Sequence, residues 1–396
     1  MKIKTTPLSS GIKDFTNTVL SLPARFGDVA KASDKQAPAP TELFQVNKVA
    51  ASLHPKTQTL VVEKVEILTD DFKCYTLKAK DGKAAYFRAG QYLSFQIIIG
   101  NSVCTRAYSI ASSPKDALNG IYKIAVKRVD DGFVSGWILD NWKEGCIASA
   151  YAPEGTFVYE PLRDAKTVVG IAGGSGITPF LSLAKAIDER TENLNLILLY
   201  GARTEKDLAF KDELDTIAAA NGSFKVVYVL SEGKQKGYEH GFIGADLIKK
   251  YAPENGDYSI FACGPEAMYA FLRKEVEVLG LRRKFVRFEM QGVSKMTAKK
   301  AGLTDETCKV TVIDRGEKCV IDGKCDETVL TALEKAGIAI PVRCRSGECG
   351  FCRSKLVSGE VYIDDSSDYR RIADAQFGYI HPCCTFPKGD ISIKIN

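Results

Sequence analysis

Four cysteines near the C-terminal end constrain this 396-residue chain more than any other feature. Cys344, Cys349 and Cys352 form a C-x4-C-x2-C run, and Cys383 follows after 30 intervening residues. Thiolates at that spacing fit a [2Fe–2S] cluster: the loop wraps one iron with two ligands and delivers the other two to the second iron. Gly347 and Gly350 let the loop turn tightly and bring N–H groups to the sulfur atoms. Zinc fits poorly, because its ligands usually come as two pairs two to four residues apart. Cys384 adjoins Cys383, so spacing alone leaves two candidates for the fourth ligand.

The rest of the composition is ordinary. Apolar residues make up 45% and charged residues 26% of the chain, which excludes a mainly disordered chain and a membrane bundle. No run of about 18 apolar residues is present, so no membrane-spanning helix is expected. Fifty-four basic against 49 acidic side chains give a net charge of +5, too mild to point to nucleic acid. The start, Met1 to Pro7, has no apolar core behind it. A cytoplasmic protein is therefore expected, whose 12 cysteines are thiols, metal ligands or redox centres. The three histidines, His54, His240 and His381, fall outside the motifs. His381 reads as a surface residue or as one that tunes the cluster.

Three modules and an arm follow from the rhythm of the chain. Residues 1–56 form a basic N-terminal extension and linker. Ile12, Phe15, Val19 and Leu22 recur at helical spacing, and a short amphipathic helix is expected to end near Pro23. Lys31 to Pro40 reads as linker. The arm is a weakly ordered tail or a helix for peripheral association with a membrane surface or partner. Residues 57–160 carry short β-type runs at Leu60–Ile67, Cys74–Ala79, Tyr92–Ile99, Ile121–Val126 and Ile147–Tyr151, with turns at Asp81-Gly82 and Asp131-Gly132, which suggests a small β-barrel. Residues 161–292 alternate strands with helices, the pattern of a doubly wound parallel sheet. Residues 293–302 read as a polar linker. Residues 303–396 form a compact unit with one helix around Val329–Ala336, which Asp326 is placed to cap and Gly337 to end. That unit carries 13 basic and 15 acidic residues, so the basic excess lies elsewhere.

Residues 305–396 resemble a plant-type [2Fe–2S] ferredoxin domain, in the cysteine run, in Ser358-Gly359-Glu360-Val361 and in Cys383-x3-Pro387. The resemblance implies an α+β β-grasp fold. It favours Cys383 over Cys384, since a proline follows the family's last ligand by four residues.

Arg106-Ala-Tyr108-Ser109 and Gly132-Phe-Val134-Ser135 make a second constellation. An arginine supplies a fixed cation for a pyrophosphate, a tyrosine a flat face, and a serine a hydroxyl near a ring nitrogen. A glycine turn after the strand end Val126-Lys127-Arg128 can aim N–H groups at phosphate. Residues 57–292 closely resemble the ferredoxin-NADP⁺ reductase superfamily, whose flavin domain is a six-stranded antiparallel barrel. That implies Arg106 at the flavin phosphate, Tyr108 stacked on the isoalloxazine and Ser109 near N5. It also implies Val126, Lys127, Gly132, Val134 and Ser135 along the ring edge and pyrophosphate. Arg-Ala-Tyr-Ser-Ile-Ala-Ser points to FAD, although members similar to phthalate dioxygenase reductase, with the same domain order, use FMN.

Gly173-Gly174-Ser175-Gly176-Ile177-Thr178-Pro179 follows a strand and opens a helix, whose N-terminus offers free N–H groups to a pyrophosphate. Cys263-Gly264-Pro265 repeats the strand-to-helix switch. In the family this pair clamps NAD(P)H, and the resemblance implies Thr178 and Cys263 beside Ser109 where hydride passes. Arg203 follows the second strand, where it could meet a 2′-phosphate; the neighbouring Glu205 would repel one, so NADH and NADPH both stay open. Glu289 reads equally as a flavin-side residue or a surface carboxylate.

Together these features point to an NAD(P)H-dependent oxidoreductase. The pyridine nucleotide gives two electrons as hydride, a [2Fe–2S] cluster takes one at a time, and flavin converts between them. A plant-type cluster near −400 mV lies close to the nicotinamide couple. The chain is similar to reductase components of phenol hydroxylase, benzoate dioxygenase and phenylacetyl-CoA epoxidase. That implies a separate electron-acceptor protein such as an oxygenase, hydroxylase or ferredoxin. Two alternatives are an anaerobic NAD(P)H–acceptor oxidoreductase serving ferredoxin, a hydrogenase or a nitroreductase, and an electron-transfer subunit of a larger complex.

Overall fold

The computed structural model describes residues 8–33, 44–130, 132–289 and 292–395. Of the expectations above, Asp34–Pro40 of the linker and Asp131 of the turn lie outside the described residues. The chain divides into two units, Met1–Ser52 and Leu53–Asn396.

The first unit holds α1 (Leu8–Ser33) and most of α2 (Gln45–Leu53). The helix does not stop at Pro23 but runs through it. Pro23 removes one donor, yet the apolar spacing continues past it at Phe26 and Val29, and the whole stripe from Ile12 onward is solvent-exposed. Among the described residues no helix is long and apolar enough to cross a membrane.

The second unit opens with a curled antiparallel sheet: β1 (Thr57–Thr69), β2 (Phe72–Ala79), β3 (Tyr92–Ile99), β4 (Ser102–Ser109), β5 (Ile121–Lys127) and β6 (Ile147–Tyr151), with α3 (Phe133–Asn141) between the last two. The strand order is β4-β3-β6-β1-β2-β5, and an Ile110–Ile124 bridge brings the two edges together as a barrel. Leu77, Phe95 and Tyr122 share its interior with Trp142, which Phe95 meets with ring centroids 5.5 Å apart. Gly132, expected in a turn, closes one with Val129 and sits at the N-cap of α3.

A parallel sheet follows, built from β7 (Thr167–Gly173), β8 (Asn195–Ala202), β9 (Phe224–Leu230), β10 (Glu239–His240), β11 (Ser259–Cys263) and β12 (Val286–Phe288), with α4 (Thr178–Asp188), α5 (Lys211–Ala220), α6 (Ala245–Tyr251) and α7 (Glu266–Glu277) as crossovers. Successive residues of β7 feed opposite cores. Val168 and Ala172 pack with Phe180 and Leu214, while Val169 and Ile171 pack with Ile248 and Leu272. Both faces are therefore covered, as a parallel sheet requires. The strand order is β10-β9-β8-β7-β11-β12, so the winding reverses between β7 and β11.

The expected linker contains a short helix, α8 (Lys295–Lys300), capped by Ser294 and anchored by buried Thr297 and Ala298. The C-terminal module has β13 (Thr307–Asp314), β14 (Glu317–Lys324), α9 (Val329–Lys335), β15 (Ser354–Ser358), β16 (Val361–Ile363), α10 (Ile372–Gln376), β17 (Tyr379–Ile380), β18 (Thr385–Pro387) and β19 (Ile391–Ile395). A mixed five-stranded sheet, β14-β13-β19-β15-β17, has β13 parallel to β19, and β16 pairs with β18 in a small second sheet. This is the β-grasp arrangement. Thr328, not Asp326, caps α9, accepting the Thr331 N–H at 3.3 Å. Asp326 instead pairs with Lys295 at 3.2 Å, tying α8 to this module.

Candidate redox site

Open α/β sheets bind ligands outside the carboxyl ends of their strands, where the winding reverses. Here the loops after β7 and β11 flank that crevice. They pack backbone to backbone: a Cβ added at Gly176 would lie 2.1 Å from the Cys263 carbonyl oxygen. Gly174–Ile177 form a single 3₁₀ turn leading into α4, and the Thr178 hydroxyl donates to the Ser175 carbonyl at 3.1 Å. Thr178 is thereby held by its own loop, with Pro179 in the first turn of α4. Pro265 caps the start of α7. The glycine-rich turn, Cys263 and Gly264 thus form one surface beside two helix N-termini, a fit for a pyrophosphate.

Three side chains converge at the seam between this sheet and the barrel. The Ser109 hydroxyl, at the end of β4, donates to Glu289 Oε1 at 2.8 Å, and the Cys263 thiol donates to Glu289 Oε2 at 2.5 Å. Glu289 is fixed by the strand before it, its N–H donating to the Ala262 carbonyl at 2.8 Å. Burial pushes the Glu289 carboxyl above its ordinary range, against the two hydrogen bonds it accepts. Burial, reinforced by that carboxylate, also pushes the Cys263 thiol well up, so it stays a neutral donor. Glu289, ambiguous in the sequence, is therefore a bridging residue and not a surface carboxylate.

The flavin-strand residues divide. Tyr108 packs on Phe95, ring centroids 6.1 Å apart, and its phenol is pushed up by burial. Arg106 forms an ion pair with Glu334 of α9 at 3.2 Å. Lys127 pairs with Asp71 at 3.5 Å. Val126 and Val134 have side chains buried in the barrel core, so a ligand would meet their main-chain atoms. Gly132 and Ser135 shape the turn before α3, where the Val129 N–H donates to Ser135 Oγ at 3.2 Å and the Gly132 N–H to the Val129 carbonyl at 2.8 Å. An open cleft of about 510 Å³ lies there, lined by Arg128, Val129, Asp130, Gly132 and Phe133. Exposed Val129 and Phe133 beside a helix N-terminus and an arginine fit a dinucleotide with an aromatic ring and a pyrophosphate.

The four cysteines stand as two pairs. Cys352 Sγ and Cys383 Sγ are 3.4 Å apart. Cys344 Sγ receives the Cys349 thiol and accepts the N–H groups of Ser346 and Cys349, each at 3.4 Å, which pull its pKa down to about 5. Among the described residues no three His, Cys, Asp or Glu side chains converge on one metal ion. Two pairs, one per iron, suit a two-iron cluster. Ser346, whose side chain is buried beside Cys344, is a hydroxyl donor available to that thiolate or to a cluster it would hold. The Cys384 thiol donates to the His381 carbonyl at 3.5 Å. His381 is buried and donates from Nδ1 to the Gly347 carbonyl at 2.6 Å, so it braces the cluster loop and is not on the surface.

The cluster loop rests on the barrel. Arg343 pairs with Glu154 at 3.4 Å and lies 3.3 Å over the Tyr151 ring. The Ser94 hydroxyl donates to the Arg343 carbonyl at 3.0 Å, and the Thr156 hydroxyl to Glu348 at 2.9 Å. At the far end of the crevice Arg203 is exposed after β8. The Thr204 N–H and hydroxyl donate to Asp207 Oδ2, and Glu205 accepts the Tyr238 hydroxyl and Gln235 Nε2.

Comparison with known proteins agrees with this geometry. Three domain families match: an oxidoreductase FAD-binding domain over residues 59–159, an oxidoreductase NAD-binding domain over 171–274 and a 2Fe-2S iron-sulfur cluster binding domain over 307–388. The glycine betaine monooxygenase reductase subunit of Pseudomonas aeruginosa is 29% identical over 346 residues, covering 82% of this chain and 92% of that protein. A component of the 1,2-phenylacetyl-CoA epoxidase of Escherichia coli is 26% identical over 345 residues, covering 83% and 94%. The solved structure of phthalate dioxygenase reductase superposes with a TM-score of 0.65 at 24% identity, covering 86% of this chain and 98% of that one, a likeness of fold.

Proposed function

Because this chain belongs to the ferredoxin reductase superfamily of NAD(P)H-dependent iron–sulfur flavoproteins, we propose that it takes hydride from NADH and delivers single electrons to an oxygenase component. The observation that carries this is the contact of Glu289 with both Ser109 of the barrel and Cys263 of the parallel sheet. When bound, FAD accepts the hydride pair and passes electrons singly to the cluster. Ser109 would present its hydroxyl at the flavin edge, and Cys263 would limit the approach of the nicotinamide from the other side. Glu289 holds both in register and can keep a proton between them. Gly173, Gly174, Ser175, Gly176 and Thr178, with Gly264 and Pro265, form the nucleotide's pyrophosphate cradle. Tyr108 walls the flavin site, and Lys127, Gly132 and Ser135 with the N-terminus of α3 serve its phosphates. Cys344 with Cys349, and Cys352 with Cys383, bind the two irons.

The choice of acceptor rests on the relatives, two of which are named as parts of oxygenating enzymes. The choice of NADH rests on Glu205, which Gln235 and Tyr238 hold in place beside Arg203 and which disfavours a 2′-phosphate. The test is anaerobic mixing of the FAD- and cluster-loaded chain with NADH, followed by a purified oxygenase component of the betaine or phenylacetyl-CoA type. Flavin reduction should precede cluster reduction, and oxygenase turnover should depend on the chain. Rapid reduction of a free ferredoxin with no oxygenase supported would overturn the assignment in favour of a ferredoxin-serving oxidoreductase.

A further inference from the structure

Strand β4 is an edge of the barrel's sheet along most of its length. An edge strand presents unpaired backbone donors, which proteins cover or protect. Here the C-terminal module covers it with α9. Glu334, in the last turn of α9, has a side chain only 6% exposed. It accepts the Thr105 N–H at 3.3 Å, Arg106 Nη1 at 3.2 and 3.3 Å through its two oxygens, and Arg345 Nη1 at 2.5 Å. Arg106 belongs to the flavin strand, and Arg345 directly follows the cluster ligand Cys344. One buried carboxylate therefore joins the flavin strand to the cluster loop.

The surroundings hold this arrangement on both sides. Arg345 has φ +59, a left-handed conformation that costs a non-glycine residue energy unless its surroundings impose it. The end of α9 is seated on the β3–β4 turn: at Gly337, whose φ is +73, a Cβ would lie 2.8 Å from the Asn101 carbonyl oxygen. A carboxylate shared by two arginines out of water adds little net stability, because desolvation offsets attraction. It does define orientation, since misplacing either module leaves a buried charge unpaired.

We propose that Glu334 is a positioning residue: the Arg106–Glu334–Arg345 bridge latches the ferredoxin domain against the flavin strand in the orientation that passes electrons from flavin to cluster. This rests on the electron route given above and adds a residue to it. Hydride transfer at Ser109, Cys263 and Glu289 does not involve the latch. One-electron transfer from barrel to cluster does.

The test uses Glu334→Gln in the full-length chain loaded with FAD and cluster. Glutamine keeps the shape and an oxygen for the Thr105 N–H but loses the charge facing both arginines. Hydrogen exchange at the Thr105 amide should accelerate, and flavin-to-cluster transfer should slow about tenfold, the scale of losing a charged partner at a part-buried pair. NADH–ferricyanide activity should stay at the wild-type level. The cluster potential should move by less than about 59 mV, the one-electron equivalent of tenfold. Glu334→Asp, which keeps the charge and shortens the reach, should slow transfer less. Wild-type transfer in both variants overturns the proposal. So does a potential shift that accounts for the slower rate, or an equal fall in ferricyanide activity. If the wild-type flavin does not reduce the cluster at all, the electron route fails, while exchange at Thr105 still reports whether Glu334 holds the domains together.

Discussion

Ser109 and Glu289 meet at 2.8 Å across the seam between the barrel and the parallel sheet. Neither domain holds the pair alone, and Cys263 completes it from the end of β11. The redox seam is therefore assembled only when both domains are packed, a task shared with Arg287, which pairs with buried Asp164 and donates to the Val158 carbonyl at 2.5 Å.

Glu289→Gln should slow hydride transfer about 100-fold at neutral pH, the low end of what a positioned proton-handling group contributes. Glutamine can still accept from Ser109 but cannot ionise. Anaerobic stopped-flow reduction of the flavin by NADH measures this, and an unchanged rate would remove Glu289 from the chemistry. Stability gives a second readout. Burial raises this carboxyl above its ordinary range, so the folded chain holds the proton more tightly than the unfolded one. Its contribution is complete below the ordinary carboxyl range and is lost as pH rises through the folded value. The variant should lack that part of the decline in denaturation midpoint with rising pH.

Cys383→Ser should lose the cluster, whereas Cys384→Ala should keep it. Cys383 stands 3.4 Å from Cys352, while Cys384 donates back to the His381 carbonyl. Iron and acid-labile sulfide content per chain decides the matter. Full cluster content in the first variant and none in the second would reverse the ligand assignment. Cys344→Ser should likewise end transfer to a protein acceptor while sparing NADH–ferricyanide activity.

Local chemistry was readable from the sequence where local spacing encodes it. The cysteine run, the glycine turns and the alternating strands β1, β3 and β6 follow from neighbours a few residues apart. What was missed depends on distant partners. Glu289 binds residues 180 and 26 positions away, and no local pattern marks it. Arg106 also pairs with Glu334, a partner that nothing nearby in sequence discloses. His381 looked peripheral because its burial is imposed by the cluster loop folding over it. Asp326 had the right side chain to cap α9, but Lys295 took it and Thr328 caps instead. Strand β14 went unread because it is largely exposed and polar, so it carries little hydrophobic alternation.

NADH should be used at least about tenfold better than NADPH by kcat/KM, a difference of about 1.4 kcal/mol. Glu205 is held in place by Gln235 and Tyr238, and Asp207 by Thr204. Glu205, fixed beside exposed Arg203, would repel a 2′-phosphate. Glu205→Gln should narrow the ratio by helping NADPH, with little change in NADH turnover. Equal use of both nucleotides by the unaltered chain would show that the adenosine ribose lies elsewhere.

Gly176→Ala should separate nucleotide binding from cluster assembly. The added Cβ would lie 2.1 Å from the Cys263 carbonyl oxygen and 2.7 Å from the Gly264 nitrogen, both main-chain atoms that cannot swing aside. The loop after β11 must then move, taking Cys263 away from Glu289 and the glycine turn away from its partner. Overpacking of this kind costs about 1–3 kcal/mol, so the chain should still fold, at lower stability. The cluster loop docks on β3, β6 and α9, far along the chain from this contact, and iron content should stay at two per chain. Flavin reduction by NADH should slow and its saturation should shift to higher NADH. A variant with wild-type reduction kinetics would mean that the β7 and β11 loops do not form the nucleotide cradle.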